Sequence, residues 1–438
     1  MNSKSTVLVI DGGGRGSVLV DKYLQSPHVS RVLAVPGNDL MNRGSQKSVS
    51  IFPEIKTTDL KNITKVCKKE KVDLVDVAQD DAVAVGLTDS LIKKGFQVFG
   101  PTKAAGQIEW DKAFARRFME KFDIPTPAFK ICKSTLSGIN FIKTQKEGEW
   151  FIKASGLAAG KGALHAANNE EAIEEIHEMK NFGKAGQTFL IEECLVGEEF
   201  SSFAIVDGPS FIIAGHAQDH KQAYEGNLGP NTGGMGCSSP PMVITTKIER
   251  QIKSIFQKTV SGLVAISRPY RGVLYLGGMI DANGKVWVIE FNARWGDPEA
   301  QVIIPAVKND FFQLASYVLN NQFRKIRIKR DNFYRVAVTA ASRGYPTDYS
   351  KATGKKIFGL DKISHDIRVK IFSAGVKISN GQYLVNGGRL FYVVGKGKNI
   401  AQARQKTYNA LSLVYVEGNN LHYRTDIGYR DLERFYIR

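Results

Sequence analysis

The chain has 438 residues, of which 43% are hydrophobic and 24% charged, so it is a globular protein too long for one compact core. A formal net charge of +17 favours anionic partners, but the basic residues are dispersed, which argues against nucleic acid as the main partner. No apolar run has membrane-spanning length. We therefore expect a soluble cytoplasmic protein, a monomer or weak homo-oligomer, that binds small molecules and neither nucleic acid nor a membrane.

The first hundred residues alternate strands and helices in the pattern of a doubly wound α/β domain. A strand over 6–10 runs into a glycine-rich turn at 11–17, and a helix follows. Further strands are predicted at 31–35, 72–78 and 97–99. Because ligands in such sheets lie beyond the carboxyl ends of the strands, we expect the four loops after these strands to line one site. Ser17 occupies the third glycine position of the dinucleotide fingerprint, so NAD is not the leading candidate.

A second glycine-rich loop follows the strand predicted at 148–153. Residues 154–162 are mostly small. Lys153 directly precedes them, and Lys161 lies near their end. Such a loop lets the backbone wrap closely around a polyphosphate, with the lysines as counter-charges. The residue order is not that of a Walker A loop, and a flexible hairpin with solvated lysines is an equal alternative. A helix predicted over 111–122 contributes Lys112 just before this loop.

The stretch from 286 to 299 begins as a β-branched apolar run and predicts a buried strand. Glu290 and Asn292 lie two residues apart, so their oxygens point to the same side of that strand. Two hard oxygen ligands suit a Mg²⁺ that also takes phosphate oxygens, although an isolated pair of this kind is usually an ordinary polar strand end. Upstream, the glycines of 226–236 predict a loop that moves or is closely approached by a ligand.

The C-terminal part predicts a third, smaller mixed unit. Its strands are predicted at 334–340, 366–372, 383–385 and 390–394, followed by a helix over 400–414. The basic segment 324–330 alternates in the manner of an edge strand. The cysteines Cys67, Cys132, Cys194 and Cys237 form no C-x-x-C pair, which favours reduced thiols over disulfides or a zinc site.

Four motifs in this order resemble the glycinamide ribonucleotide synthetases, also called phosphoribosylamine–glycine ligases, of the ATP-grasp superfamily. They are KASGLAAGKG at 153–162, QDHK at 218–221, GPNTGGMG at 229–236 and VIEFNARWGDPE at 288–299. The resemblance covers nearly the whole chain. It implies an α/β protein with a doubly wound N-terminal domain (1–109), an ATP-grasp domain (110–330) and a small mixed C-terminal domain (331–438).

The resemblance also implies the site residues. The phosphates of ATP would contact Lys112, Lys153, Ser155, Gly156, Gly160 and Lys161. The adenine would lie at Glu192, Glu193 and Leu195, and the ribose at Glu199 or Glu198. Glu290 and Asn292 would hold Mg²⁺ or Mn²⁺. The residues facing the reacting groups would be Arg294, Asp219 and Asn231. The other substrates would meet Gly13, Gly14, Arg15, Asp219, His220 and Arg294, although His220 could equally pack against the sheet.

The implied reaction joins glycine to phosphoribosylamine in purine synthesis. A carboxylate is a poor acyl donor, so glycine would first attack the γ-phosphate of ATP, and the amine would then displace phosphate from glycyl phosphate. Positioning and charge neutralisation suffice for such phosphoryl transfer, and no nucleophilic side chain is needed.

This sequence departs from the family pattern at four places. Most members have Arg-Glu-His where residues 15–17 are Arg-Gly-Ser, and Gly-Pro-Glu where residues 78–80 are Ala-Gln-Asp. Trp110-Asp111 replaces a small pair, and Ser155 replaces the usual aspartate. The alternatives are therefore a paralogous ATP-grasp acid–amine ligase with a different amine substrate, or a non-catalytic nucleotide-binding protein.

Overall fold

The computed structural model describes residues 4–42, 46–158, 162–365 and 368–437. The N-terminal unit contains β1 (Ser5–Ile10), α1 (Gly14–Leu24), β2 (Val29–Val35), β3 (Ser48–Ile51), α2 (Leu60–Lys69), β4 (Leu74–Val77), α3 (Asp80–Ala84), α4 (Leu87–Ile92), β5 (Val98–Phe99) and α5 (Lys103–Trp110). Its strands form one parallel sheet in the order β3–β2–β1–β4–β5, as a doubly wound domain requires.

The parallel sheet separates two cores. Val7 and Val9 of β1 belong to one buried cluster, whereas Leu8 and Ile10 belong to another. This alternation follows from the two-residue period of a strand covered on both faces. The sequence does not predict the edge strand β3, because two of its four residues are serines and none is fully buried.

The middle of the chain begins with a small antiparallel sheet. Its elements are α6 (Lys112–Lys121), β6 (Phe129–Cys132), α7 (Thr135–Lys143), β7 (Trp150–Ala154), β8 (Ala163–Ala166), α8 (Asn169–Glu178) and β9 (Phe189–Glu193). The strand order is β6–β9–β7–β8. One face packs on the two helices through Ile152, Ala154 and Ile191, so the other face is left for a ligand.

A larger sheet follows. Its part of the chain holds β10 (Glu198–Gly208), β11 (Ser210–Asp219), β12 (Gln222–Tyr224), β13 (Leu228–Asn231), β14 (Gly236–Ser239), α9 (Thr246–Ala265), β15 (Tyr270–Ile280), β16 (Val286–Asn292), α10 (Ala300–Ile303) and α11 (Phe311–Leu319). Part of the predicted loop 226–236 forms the hairpin β12–β13, in which Gly226 and Asn227 adopt positive φ angles.

The C-terminal unit extends the same large sheet. It contains β17 (Tyr334–Ser342), β18 (Lys356–Phe358), β19 (Val369–Ser373), β20 (Val376–Ser379), β21 (Gln382–Val385), β22 (Arg389–Gly397), α12 (Ile400–Leu411), β23 (Tyr415–Val416), β24 (Leu421–His422) and α13 (Tyr429–Ile437). Because β14 pairs with β17, one sheet in the order β16–β15–β10–β11–β14–β17–β22–β19 crosses residue 330, where the sequence predicts a domain boundary.

Two further predictions concern single segments. The edge strand predicted at 324–330 is wrong, because Phe323–Lys325 form a 3-10 turn and only Arg330 makes an isolated bridge, to Val307. Arg327 instead donates to the carbonyls of Arg324 and Ile326. Among the described residues, no helix combines the length and apolar character needed to cross a bilayer.

Candidate active site

A pocket of about 150 Å³ lies between β16, α6 and the open face of the small sheet. Six of the predicted site residues line it together: Lys112, Lys153, Glu192, Glu290, Asn292 and Arg294. Leu157 and Ala158 of the glycine-rich loop border the same space. Gly160 and Lys161 lie outside the described residues.

Glu290 and Asn292 point to the same side of β16, as the sequence predicts. The Asn292 amide donates to Glu290 Oε1 over 3.3 Å, and the residue opposite Glu290 on β15 is Gly277, which leaves room beside the carboxylate. Although burial raises the pKa of Glu290, the charges of nearby lysines, Lys221 above all, bring it below its usual value. A charged carboxylate beside an amide oxygen is a donor set that fits a hard divalent cation.

Arg294 is held in the pocket by a residue that the sequence analysis missed. Glu109 of α5 pairs with Arg294 at 3.0 Å and accepts a hydrogen bond from the Ala293 backbone at 2.8 Å. Arg294 also donates to Asn292 Oδ1 at 3.1 Å. The guanidinium is therefore fixed next to the candidate metal ligands. No local pattern marks Glu109, since a single carboxylate on a helix ordinarily faces solvent.

Glu192 joins two cations at the floor of the pocket. Its carboxylate accepts from Arg116 at 2.6 Å and from Lys153 at 2.7 Å, and the side chain is 1% exposed. Burial raises the pKa of Glu192, but Lys153 and Arg116 outweigh burial and lower it to about 2. The carboxylate thus neutralises both buried cations while it lines the pocket in which the resemblance expects the adenine. Of the other two residues predicted there, Glu193 is exposed and Leu195 is half-buried.

Two departures from the family pattern, Asp111 and Ser155, contact each other. Ser155 Oγ donates to Asp111 Oδ1 at 2.9 Å and accepts from the Ala113 amide at 2.9 Å. The Asp111 carboxylate caps α6 by accepting from the Phe114 amide at 2.9 Å. Together they bind the start of the glycine-rich loop to the helix turn that carries Lys112. Ser155 therefore faces the helix and is bonded to the carboxylate of Asp111. Its neighbour Gly156 packs against Ala185.

We expect the two departures to act as one pair. Asp111→Ala or Ser155→Ala should each lower the free energy of unfolding by about 0.5–2 kcal/mol, because each leaves helix amides without an acceptor. The exchanged double variant Asp111→Ser/Ser155→Asp should recover most of this loss, since a serine cap and an aspartate can make the same hydrogen bonds. Urea unfolding of the four proteins measures it. If the exchanged variant lost as much free energy of unfolding as the two alanine variants together, the pairing would be contradicted.

A small second pocket adjoins the first through Ile289 and contains Glu199, Asp219 and Lys221. Lys221 pairs with Glu199 at 3.3 Å. Burial, together with the charge of Glu299, raises the pKa of Asp219 well above its usual value. Of the two glutamates predicted at the ribose, Glu199 thus faces the pocket. Glu198 instead forms an ion pair with Arg434 of α13 and accepts a hydrogen bond from Gln218 at 2.7 Å.

Asn231 and His220 lie away from these pockets. Asn231 is exposed on the hairpin β12–β13, where it accepts from Gln222 at 3.3 Å. The buried ring of His220 accepts from the Gly428 amide at 2.9 Å and packs on Tyr429 at 5.7 Å. Burial lowers the pKa of His220 to about 3, so the ring is neutral. The alternative that His220 packs structurally is the one that this geometry favours.

A third cavity, of about 420 Å³, lies between the N-terminal and C-terminal units. It is lined by Gly12 and Gly13 after β1, by residues 36–39 after β2, by Asp297, and by 374–377 and Arg389 from the C-terminal unit. The prediction that four N-terminal loops line one site is therefore half wrong. Asp80 after β4 lines the first pocket, and Gly100 after β5 lines a separate small one.

Arg15 and Gly14 lie behind this cavity rather than in it. Arg15 is 6% exposed and donates to Asp11 at 2.6 Å, to the Trp295 carbonyl at 3.1 Å and to Gln79. A side chain at Gly14 would collide with Tyr392 of β22, so this glycine permits the close approach of the C-terminal unit. Among the three N-terminal residues predicted to meet substrate, only Gly13 borders the cavity.

Arg389 connects three parts of the site. The sequence leaves it as the possible end of a hairpin, but its guanidinium donates to the carbonyls of Asp297, at 2.7 Å, and Gly233, at 2.5 Å. It also lies 3.5 Å from the Asp297 carboxylate. Arg389 therefore ties the glycine-rich segment and the end of the β16 stretch to the C-terminal unit.

Comparisons with known proteins agree with this architecture. Family models of phosphoribosylglycinamide synthetase match the chain in three parts: the N domain at 5–109, the ATP-grasp (A) domain at 110–300 and the C domain at 335–430. A solved structure of phosphoribosylamine–glycine ligase from Thermotoga maritima superposes with a TM-score of 0.81 at 29% identity, covering 97% of this chain and 100% of that one.

Two curated relatives differ in length. Phosphoribosylamine–glycine ligase of Listeria monocytogenes is 38% identical over 427 residues, which is 96% of this chain and 99% of the relative. Trifunctional purine biosynthetic protein adenosine-3 of Bos taurus is 38% identical over 430 residues, 97% of this chain but 42% of the relative. The chain thus spans less than half of the trifunctional protein.

Proposed function

Because this chain belongs to the phosphoribosylglycinamide synthetase family, we propose that it joins glycine to phosphoribosylamine with cleavage of ATP, giving glycinamide ribonucleotide, ADP and phosphate. One observation carries the proposal. The segment 290–297 reaches two cavities at once, because Glu290, Asn292 and Arg294 line the first pocket whereas Asp297 lines the third. A phosphoryl donor and an amine held in these cavities would meet along that segment.

The residues of the first pocket have separate roles in this reaction. Lys112 and Lys153 bind phosphates of ATP, and a divalent cation held by Glu290 and Asn292, Mg²⁺ or Mn²⁺, would neutralise phosphate oxygens. Arg294, fixed by Glu109, binds the γ-phosphate as the carboxylate of glycine attacks it. The amine of phosphoribosylamine then attacks the carbonyl carbon of glycyl phosphate and displaces phosphate. Closure of the glycine-rich loop over the phosphates would limit hydrolysis of that mixed anhydride.

Two of the altered N-terminal residues, Ser17 and Gln79, support phosphoribosylamine over a different amine. Ser17 Oγ donates to the Ser373 carbonyl at 2.6 Å, and Gln79 accepts from Arg15. Neither Ser17 nor Gln79 borders the third cavity. At Ser17 and Gln79 the departures therefore change the packing between units, whereas the altered residue Asp80 lines the first pocket together with Arg294.

The direct test is an assay of the purified chain with ATP, glycine and freshly generated phosphoribosylamine. We expect ADP, phosphate and glycinamide ribonucleotide in equal amounts, and little ADP when the amine is left out. ADP formation with another amine but not with phosphoribosylamine would favour the paralogous ligase. ATP binding without turnover of any amine would favour a non-catalytic nucleotide-binding protein.

Lys377 is an exposed cation that lines the third cavity, and we expect it to contact the phosphate of phosphoribosylamine. Lys377→Ala should raise KM for this substrate by about tenfold with little change in kcat, because a charge-assisted hydrogen bond is lost equally from ground and transition states. Lys370→Ala is the matched control: Lys370 pairs with Asp21 at 2.7 Å and does not line the cavity. Equal KM values for the wild type and the Lys377 variant would contradict this role.

A further inference from the structure

Three potential metal ligands meet at the edge of the small sheet. Glu149 precedes β7, His165 lies in β8 and Cys194 follows β9. One ligand atom of each side chain lies within 4.8 Å of the other two, and His165 Nε2 is 3.3 Å from Glu149 Oε2. The Cys194 amide donates to the Glu149 carbonyl at 3.1 Å, so the backbone itself holds two of the ligands together.

The sheet gives this cluster a fixed position relative to the first pocket. Phe151 is the cross-strand partner of both His165 and Glu192, and partners on neighbouring strands share a face. The ring of Phe151 lies edge-on to His165 at 5.2 Å and beneath the Lys153 ammonium, also at 5.2 Å. The three ligands therefore stand on the pocket side of the sheet, at its outer rim.

We propose that Glu149, His165 and Cys194 form a binding site for a thiophilic divalent cation of the Zn²⁺ type. Sulfur, imidazole nitrogen and carboxylate oxygen are the donors that zinc takes, and three protein ligands leave one position for water. Binding forms the metal–sulfur bond and releases the thiol proton to solvent.

Occupation of the site has a consequence for the nucleotide, and this consequence rests on the proposed function. A cation at the rim lies on the face that carries Lys153 and Glu192, next to the segment 192–195 where the adenine is expected. We therefore expect Zn²⁺ to raise KM for ATP without the same effect on KM for glycine.

The test titrates Zn²⁺ into the full, ATP-free chain in the presence of excess Mg²⁺, which competes with Zn²⁺ for the proposed oxygen site at Glu290. We expect one site, and binding weaker by more than about tenfold in Cys194→Ala and in His165→Ala. His177→Ala, which removes an exposed histidine on α8, should bind as the wild type does. Far-ultraviolet circular dichroism checks that the variants are folded.

Cobalt provides a second measurement. Co²⁺ bound by the wild type should show a thiolate charge-transfer band that is absent in Cys194→Ser. Zinc binding that is unchanged in the Cys194 and His165 variants, or no binding at all, would overturn the proposed site. Zinc binding without any effect on KM for ATP would overturn only the consequence for the nucleotide. Because the titration needs no turnover, its result on zinc binding holds even if the ligase assay fails.

Discussion

Replacement of Glu290 by glutamine is expected to lower the rate of ADP formation on the order of a thousandfold. The change removes the charge that a divalent cation needs, while the glutamine oxygen can still accept the 3.3 Å hydrogen bond from Asn292. The fold should therefore be retained. The measurement is steady-state ADP release with saturating ATP, glycine and phosphoribosylamine, together with a thermal unfolding curve.

Glu433→Gln supplies the matched control, because Glu433 is an exposed glutamate on α13 away from both pockets. This control should keep wild-type activity. ADP formation at the wild-type rate by the Glu290 variant would show that the carboxylate holds no essential cation. A loss of activity accompanied by unfolding would instead identify Glu290 as a structural residue.

The second large effect is expected from Glu192→Ala. This change leaves the Arg116 guanidinium and the Lys153 ammonium buried without their counter-charge, and removal of one partner from a buried ion pair costs about 3–5 kcal/mol of stability. Burial lowers the pKa of Lys153, and this cost of desolvation offsets part of the stability that the ion pair with Glu192 contributes. Urea unfolding of the ATP-free chain measures the loss. Glu193→Ala, at the exposed neighbour, should change stability by less than about 0.5 kcal/mol.

The pH dependence of the stability difference distinguishes loss of these ion pairs from loss of packing. The pKa of Glu192 falls to about 2 in the folded chain, below that of an ordinary glutamate. The stability that the charged Glu192 contributes is therefore complete above the pKa of this residue in the unfolded chain. It is lost as the pH falls through the pKa of Glu192 in the folded chain. The stability difference between wild type and Glu192→Ala should shrink between roughly pH 4.5 and pH 2. A difference that stays constant across this range would indicate packing instead of charge.

Local patterns account for the parts of the fold and site that the sequence predicts correctly. Alternation along β16 places Glu290 and Asn292 on one side, because the two-residue period of a strand is independent of its neighbours. The alternation of strands and helices predicts the N-terminal parallel sheet, because parallel neighbouring strands need a crossover connection and a helix supplies it. The motif order further predicts the family, since long motifs in a fixed order carry more information than one glycine pattern.

Only the tertiary structure decides which charges meet. Glu192 joins Arg116, which is 76 residues away, and Arg15 donates to the Trp295 carbonyl, 280 residues away. Arg389 reaches the Gly233 carbonyl across 156 residues. No local pattern contains such partners, so the sequence alone does not predict that Glu192 pairs with Arg116, and it leaves Arg389 as the possible end of a hairpin.

The same distinction applies to the departures from the family pattern. The resemblance of the sequence to its family marks Asp111 and Ser155 as departures, but it does not show what these two residues contact. The 2.9 Å hydrogen bond between them shows a structural pair, because a side chain's role depends on the groups that folding brings within hydrogen-bonding distance. Sequence determines which chemical groups are present and their local direction. The tertiary structure decides which of them remain free to meet a ligand.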